Sequence, residues 1–335
     1  MKKTVFKNFS EEMINKPYVA IPEFISAVEE TFNKSTINIV QNFLKHNNYT
    51  KWMVFSDYVF DKKKNNNVVT FSFIPYIFDF NQLQDLIKLL ANKDLKDTQN
   101  IKKEYLEFLN NMPILTFSFI LKGKRKIHYF EEKKFYINKI KKIIEMLEYW
   151  IKTTPENKKQ YEKDIKDFKV FLNELNKNTN FSLKKDIAII SLLAAYLMYE
   201  FSKIHSNIEI IGWFSDRDKL TEYGGKKFNY PLIYNLSHIY FHIFTEEIDA
   251  KPKLIHGKTN DKQLFYDEYI KIPDYICGVL ADYDFLNNKC SHDKHIKLME
   301  NLIASNEKII VFKLLFKKEL IECAVERIVR DNKTS

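Results

Sequence analysis

Glycine is scarce, with six residues in 335. None of them builds a glycine-rich phosphate loop, which argues against P-loop nucleotide hydrolases and Rossmann dinucleotide-binding proteins. Cysteine is scarcer still. Cys277, Cys290 and Cys323 are scattered, make no disulfide framework and suit a reducing compartment. There is no G-x-S-x-G nucleophile elbow. His238 and His242 stand four apart on one predicted helix face, but no glutamate of an H-E-x-x-H motif lies between them, so they read as helix packing. The chain opens with two lysines and then has no apolar run of signal-peptide length. Its most apolar segment, Ile187 to Met198 (IAIISLLAAYLM), is 12 residues long and flanked by Lys184, Lys185, Asp186 and Glu200. That is short of a bilayer span and reads as a buried core helix. These absences point to a soluble cytoplasmic protein without membrane attachment.

Apolar residues are plentiful, at 45%, with 15% aromatic, enough for a sizeable core. Lysine and arginine outnumber aspartate and glutamate by 53 to 44, for a formal net charge of +9. That balance leans toward polyanionic partners. A low-GC codon bias, which enriches Lys, Asn, Ile, Phe and Tyr, produces the same excess. Basic runs at Lys62–Lys64, Lys122–Lys126 and Lys184–Lys185 read either as phosphate contacts or as solvated faces. Cys290-Ser-His292-Asp-Lys-His295 lacks a second cluster with zinc spacing and reads as a solvated helix start.

Hydrophobic periodicity predicts strands at 52–58, 68–76 and 113–122, with 127–130 pairing back across a basic turn. Helical patterns cover 22–46, 81–110, 135–152, 156–176, 181–205, 231–247, 273 onward, 294–304 and 318–329. A strand enters at Ile208, a short one covers 253–256, and 308–316 is rich in β-formers. The expected organisation is an N-terminal helical segment at 1–48 and a core at 49–290. The core carries helical insertions at about 80–110 and 135–180. A C-terminal extension at 291–335 packs on it.

Three patches carry acids at element ends. Lys51-Trp-Met-Val-Phe-Ser-Asp57 is a strand ending on an acid. Ile210-Ile-Gly-Trp-Phe-Ser-Asp216 is a second, followed by Arg217 and Asp218. Ile272-Pro-Asp-Tyr-Ile-Cys-Gly278 opens a helix with Asp274. The bland reading of each acid is a turn former or helix cap. Together, acids from different elements are what a site for hard divalent cations requires.

In this order, the patches and their elements resemble the ribonuclease H-like (retroviral integrase-type) superfamily. Ile272 to Gly278 resembles the ADYIAG-type helix of a poorly characterised bacterial branch. The resemblance spans residues 50 to 285. It implies an α/β fold whose ribonuclease H-like mixed sheet has an antiparallel three-strand meander, then helix–strand alternation, with helical insertions. It further implies a nuclease, or related phosphodiester-processing protein, acting on nucleic acid through Mg2+ or Mn2+ by a two-metal carboxylate mechanism. Asp57, Asp216 and Asp274 are then the catalytic ligands, with Asp218 a further metal ligand. Asp186 and Glu200 are both candidates for an acid from the helix before the fourth strand. Arg217, Lys124, Arg125 and Lys126 are the phosphate-binding candidates. The bacterial branch opens with Asp-Glu-Ser-Gly, whereas this chain has Ser56-Asp57-Tyr58-Val59. The alternative is a non-catalytic nucleic-acid-binding or scaffold protein on a degenerate version of the fold. The choice between DNA and RNA, and the oligomeric state, are not legible.

Overall fold

The computed structural model describes residues 16–330 apart from 78, 178–179, 247, 249–250 and 258–263. Residues 1–15 of the expected N-terminal segment therefore lie outside the described residues.

Three nine-residue strands, β1 (Lys51–Val59), β2 (Asn67–Pro75) and β3 (Leu115–Gly123), form an antiparallel meander. β4 (Ile210–Ser215) pairs parallel to β1, and β5 (Lys253–His256) parallel to β4. On the opposite edge β6 (Ile309–Phe316) runs parallel to β3, and β7 (Ile321–Val325) turns back antiparallel to it. The described residues thus form an α/β fold with a seven-stranded mixed sheet in the order β5-β4-β1-β2-β3-β6-β7.

Alternation sorts each strand between two cores. Trp52 and Val54 of β1 face one cluster, and Met53 and Phe55 face the other. The first face is covered by α1 (Glu23–Ser35), α2 (Ile37–His46), α5 (Glu132–Thr153), α6 (Lys158–Asn176), α7 (Phe181–Ile204) and α8 (Leu232–Phe244). The second is covered by α3 (Phe80–Leu90), α4 (Lys103–Asn111), α9 (Asp267–Asp282) and α10 (Asp293–Leu298). Beneath α9, β2 and β3 present small hydroxyl pairs, Thr70 with Ser118 at 3.0 Å and Ser72 with Thr116 at 2.9 Å. These short side chains leave room for the helix to lie close to the sheet.

Several expectations are corrected. The run 22–46 is broken at Thr36, whose backbone N–H bonds back to Phe32. The run 81–110 is two helices separated by a loop and a 3-10 turn at Leu95–Asp97. Residues 127–130 form no strand; Ile127 N–H is instead bonded to Glu132. Residues 321–325 are strand rather than helix, because β6 offers an open edge to pair with. α9 begins six residues before Pro273, which sits inside it. α7 is 24 residues and by length and composition alone would cross a bilayer; 83% of that apolar stretch is buried within the fold.

One core cation is unpaired among the described residues. Lys139 on α5 is 5% exposed, and its Nζ lacks a hydrogen-bond partner, 4.6 Å from the Tyr240 ring centre. Burial holds its amine well below the ordinary lysine value. At neutral pH the unfolded amine is protonated while the folded one resists protonation, so folding is opposed; the opposition fades as pH rises toward 10.5. Lys139→Met should stabilise the fold at pH 7 by about 1–3 kcal/mol, the cost of an unsatisfied buried polar group. The gain should shrink by pH 10. Thermal melts across pH check this, and a variant melting below wild type at pH 7 contradicts it.

Candidate active site

The site begins with a register. β1 and β4 pair in parallel with Phe55 opposite Phe214 and Ser56 opposite Ser215. The Asp216 N–H continues the ladder onto Ser56 O at 3.2 Å. One step on stand Asp57 and Asp216, the latter the first residue after β4, close enough for the Asp216 charge to act on Asp57. The reverse face locks this pairing. Trp213 Nε1 donates to Ser56 Oγ at 2.8 Å, Ser56 and Tyr58 hydroxyls lie 2.7 Å apart, and Ser215 Oγ donates to Tyr58 at 2.8 Å.

α9 supplies the third acid. Cys277 rests on the sheet with its Sγ 3.5 Å from Asp57 O and 3.6 Å from Val68 O. Asp274 lies three residues earlier, on the same helix face toward Asp57 and Asp216. Its Oδ2 accepts the Leu95 N–H at 2.8 Å. That bond is one of several tying the loop after α3 to this helix. Lys271 donates to Ala91 O and Tyr275 to Lys93 O, both at 2.8 Å. Gly278 belongs to the same contact, since a Cβ there would stand 2.5 Å from Leu95 Cδ2.

The three carboxyls feel one another. Asp57 is 9% exposed, and burial, then the charges of Asp274 and Asp216, hold its carboxyl well above the usual range. Asp274 is raised to about 6 by burial, with Asp94 and Asp216 adding to the shift. Asp216 sits at the open rim, yet the protein packed round its carboxylate raises it, helped by Asp218, Asp94 and Asp267. Asp94 and Asp267 escaped the sequence reading. The first lies in the loop hidden within 81–110, and the second in the unrecognised first turn of α9. A positional signal existed for Asp267, an acid in a first helical turn.

Other predicted residues do different work. Asp218 Oδ1 accepts the Leu220 and Thr221 N–H groups at 2.8 and 3.0 Å, so it caps its own loop. Asp186 is held by Arg125 through two bonds of 2.7 and 2.9 Å, on α7, which covers the opposite face of the sheet. Arg125 also lies over Phe60 at 4.6 Å. Glu200 is fully buried in that same opposite core, paired with Lys203 at 3.3 Å. Lys126 donates to Lys318 O at 3.3 Å, and Lys124 is an exposed residue at the turn after β3. The Arg217 N–H bonds Asp216 Oδ1 at 2.7 Å, and its charge reaches Tyr266. His295, expected to be solvated, is buried 2.7 Å from Asp282. His238 and His242 pack ring against ring at 5.4 Å.

The donors at the site are carboxylate oxygens from β1, from the residue just past β4, from α9 and from a loop, with the charge of Lys96 acting on Asp274. Oxygen donors with excess negative charge suit a hard divalent cation. Among the described residues, however, no three His, Cys, Asp or Glu side chains close round a single point. Comparison with protein-family models, curated proteins and solved structures gave no match.

Asp274 carries a measurable consequence. Folded, it binds its proton near pH 6; unfolded, near 3.8. Between those values the folded chain holds the extra proton, so stability falls as pH rises and the full cost applies above 6. Asp274→Asn keeps an acceptor for Leu95 and removes the charge. It should match wild type at pH 4 and exceed it by about 0.5–2 kcal/mol at pH 7. Denaturant melts at both pH values check this, and equal differences at the two contradict it.

Proposed function

We propose that the chain is a metal-dependent nuclease, or a related phosphodiester-processing enzyme, on a ribonuclease H-like fold. The observation that carries the reading is the convergence of Asp57, Asp216 and Asp274 on one face of the sheet, each raising or raised by another's charge. The strand order supports it: an antiparallel meander whose first strand is flanked in parallel by the fourth, and that by the fifth. The site also lies toward the carboxyl ends of parallel strands, where ligands gather in α/β sheets.

Asp57 and Asp216 are the residues that would hold Mg2+ or Mn2+, with Asp274 beside them. A bound divalent ion supplies Lewis acidity and a water of lowered pKa. The chain's part is to keep the acids close and desolvated, so that a cation, rather than protons, relieves their repulsion. Asp94 and Asp267 add their charge to the cluster, Asp94 acting on Asp216 and Asp274 and Asp267 on Asp216. A binding-only descendant is the second reading. It is favoured by the open spacing of the acids and by the bond that already occupies Asp274 Oδ2.

Cleavage of single- and double-stranded oligonucleotides with Mg2+ or Mn2+ separates the two. Asp57→Ala and Asp216→Asn should abolish cleavage, while Asp218→Asn, still able to accept its loop N–H groups, should keep most of it. Mg2+ should raise the melting temperature of wild type by mass action and leave Asp216→Asn unmoved. Wild-type protein that binds oligonucleotide without metal-dependent cleavage favours the second reading. Full activity in Asp216→Asn sinks the metal site.

A further inference from the structure

The loop between α3 and α4 is fastened along its backbone. Lys271 takes Ala91 O, Tyr275 takes Lys93 O, and Asp274 takes the Leu95 N–H. These three holders all belong to α9. A further one comes from α10. Lys294 donates through Nζ to Leu95 O at 2.7 Å and Thr98 O at 2.6 Å, and reaches Lys96 O at 3.4 Å. Thr98 is tied in turn, its Oγ1 donating to Asp94 O at 3.0 Å and standing 3.1 Å from the Tyr275 hydroxyl. α10 is itself anchored by the next residue, His295, whose Nδ1 lies 2.7 Å from Asp282 at the end of α9.

A lysine on a short helix ordinarily reaches into water. Lys294 is half-buried instead, and its ammonium is turned onto the carbonyls of a single turn. Bonds from an ammonium are charge-assisted and stronger than neutral ones. Leu95 is therefore held at both ends of its backbone, its O by Lys294 and its N–H by Asp274. Packing alone does not call for this. The Leu95 side chain is already buried against α9, where a Cβ at Gly278 would stand 2.5 Å from its Cδ2. What the polar holders add is a defined position for one N–H at one carboxylate.

We propose that Lys294 is a positioning residue of the acid site. Through the carbonyls of the turn at 95–98 it keeps the Leu95 N–H on Asp274 Oδ2, and so fixes the orientation in which Asp274 meets a bound cation. The inference rests on the metal-site part of the function proposed above. Lys294 acts through Leu95 and not on reacting atoms. Groups that orient a metal ligand from behind govern affinity strongly, and losing one typically costs about 10- to 100-fold.

The test reads Leu95 and the cation separately, in the full chain. Amide hydrogen exchange of Leu95 without added metal reports its bond to Asp274. Melting temperatures across a Mg2+ titration report the cation. The variants are Lys294→Met, Lys294→Arg and, as an exposed control on the same helix, Lys297→Met. Lys294→Met should speed Leu95 exchange roughly 10- to 100-fold, the span of one hydrogen bond to a charged group. It should also raise the Mg2+ concentration at half-maximal shift by about 10-fold or more. Lys294→Arg, still able to donate to the carbonyls, should recover most of both, and Lys297→Met should match wild type. A lower melting temperature in Lys294→Met with unchanged Leu95 exchange overturns the positioning role and leaves a purely structural tie. Faster exchange with an unchanged Mg2+ titration also overturns it, and keeps the metal site. Wild type that responds to neither Mg2+ nor Mn2+ overturns the metal reading, and the positioning role with it. Should Lys294→Met fail to fold, Lys294→Gln, which keeps N–H donors without the charge, is held to the same outcomes.

Discussion

The structure turns on the parallel pairing of β1 with β4. Side chains alternate across a strand, so a slip of one residue would send Asp57 to the opposite face and leave Asp216 alone. The hydroxyl and indole contacts among Ser56, Tyr58, Trp213 and Ser215 hold that register from the reverse side. They are buried or part-buried polar contacts linked in one network, the kind that specify a single arrangement. The residues that make them alternate with the acids in sequence. One face of the same short segments fixes the pairing, and the other carries the charge.

Holding carboxylates together in a desolvated place is costly, and the second layer is arranged to bear it. α9 lies on small hydroxyl residues of β2 and β3, which brings Asp274 close to the sheet. The loop after α3 is tied to α9 by Lys271, Tyr275 and Asp274 itself, and so brings Asp94 to the same charges. The stacked rings of Phe55 and Phe214, two residues before Asp57 and Asp216, exclude water from beneath the acids. The raised proton affinities of Asp57 and Asp274 follow from that exclusion first and from neighbouring charge second. Groups perturbed in this way, gathered at one place, are where function is expected to reside.

Much of this was legible. Asp57 and Asp216 could be read because each closes a short apolar run, and Asp274 because it stands at the start of an apolar helical pattern; the alternation inside KWMVFSD and IIGWFSD assigns a face to every residue. The position of the meander followed from the same pattern. What sequence hid was set by contacts across the fold. Asp218 looked equivalent to Asp216 until the turn after β4 claimed its carboxylate. Asp186 and Glu200 lie on α7, which packs on the opposite face of the sheet, and a one-dimensional pattern does not state which side a helix takes. Arg125 read as a phosphate contact because its partner, Asp186, is 61 residues away. The strand β7 was invisible as such, since its formation depends on the open edge of β6 rather than on local propensity.

The central claim is that Asp57, Asp216 and Asp274 act as one charge-coupled unit. The most direct measurement is a carboxyl 13C NMR titration of Asp57 in wild type, Asp216→Asn and Asp274→Asn. Coupling predicts an Asp57 midpoint well above the ordinary aspartate range in wild type, lower in each variant as a neighbouring charge is removed. An Asp57 that titrates at the same pH in all three proteins would contradict the account.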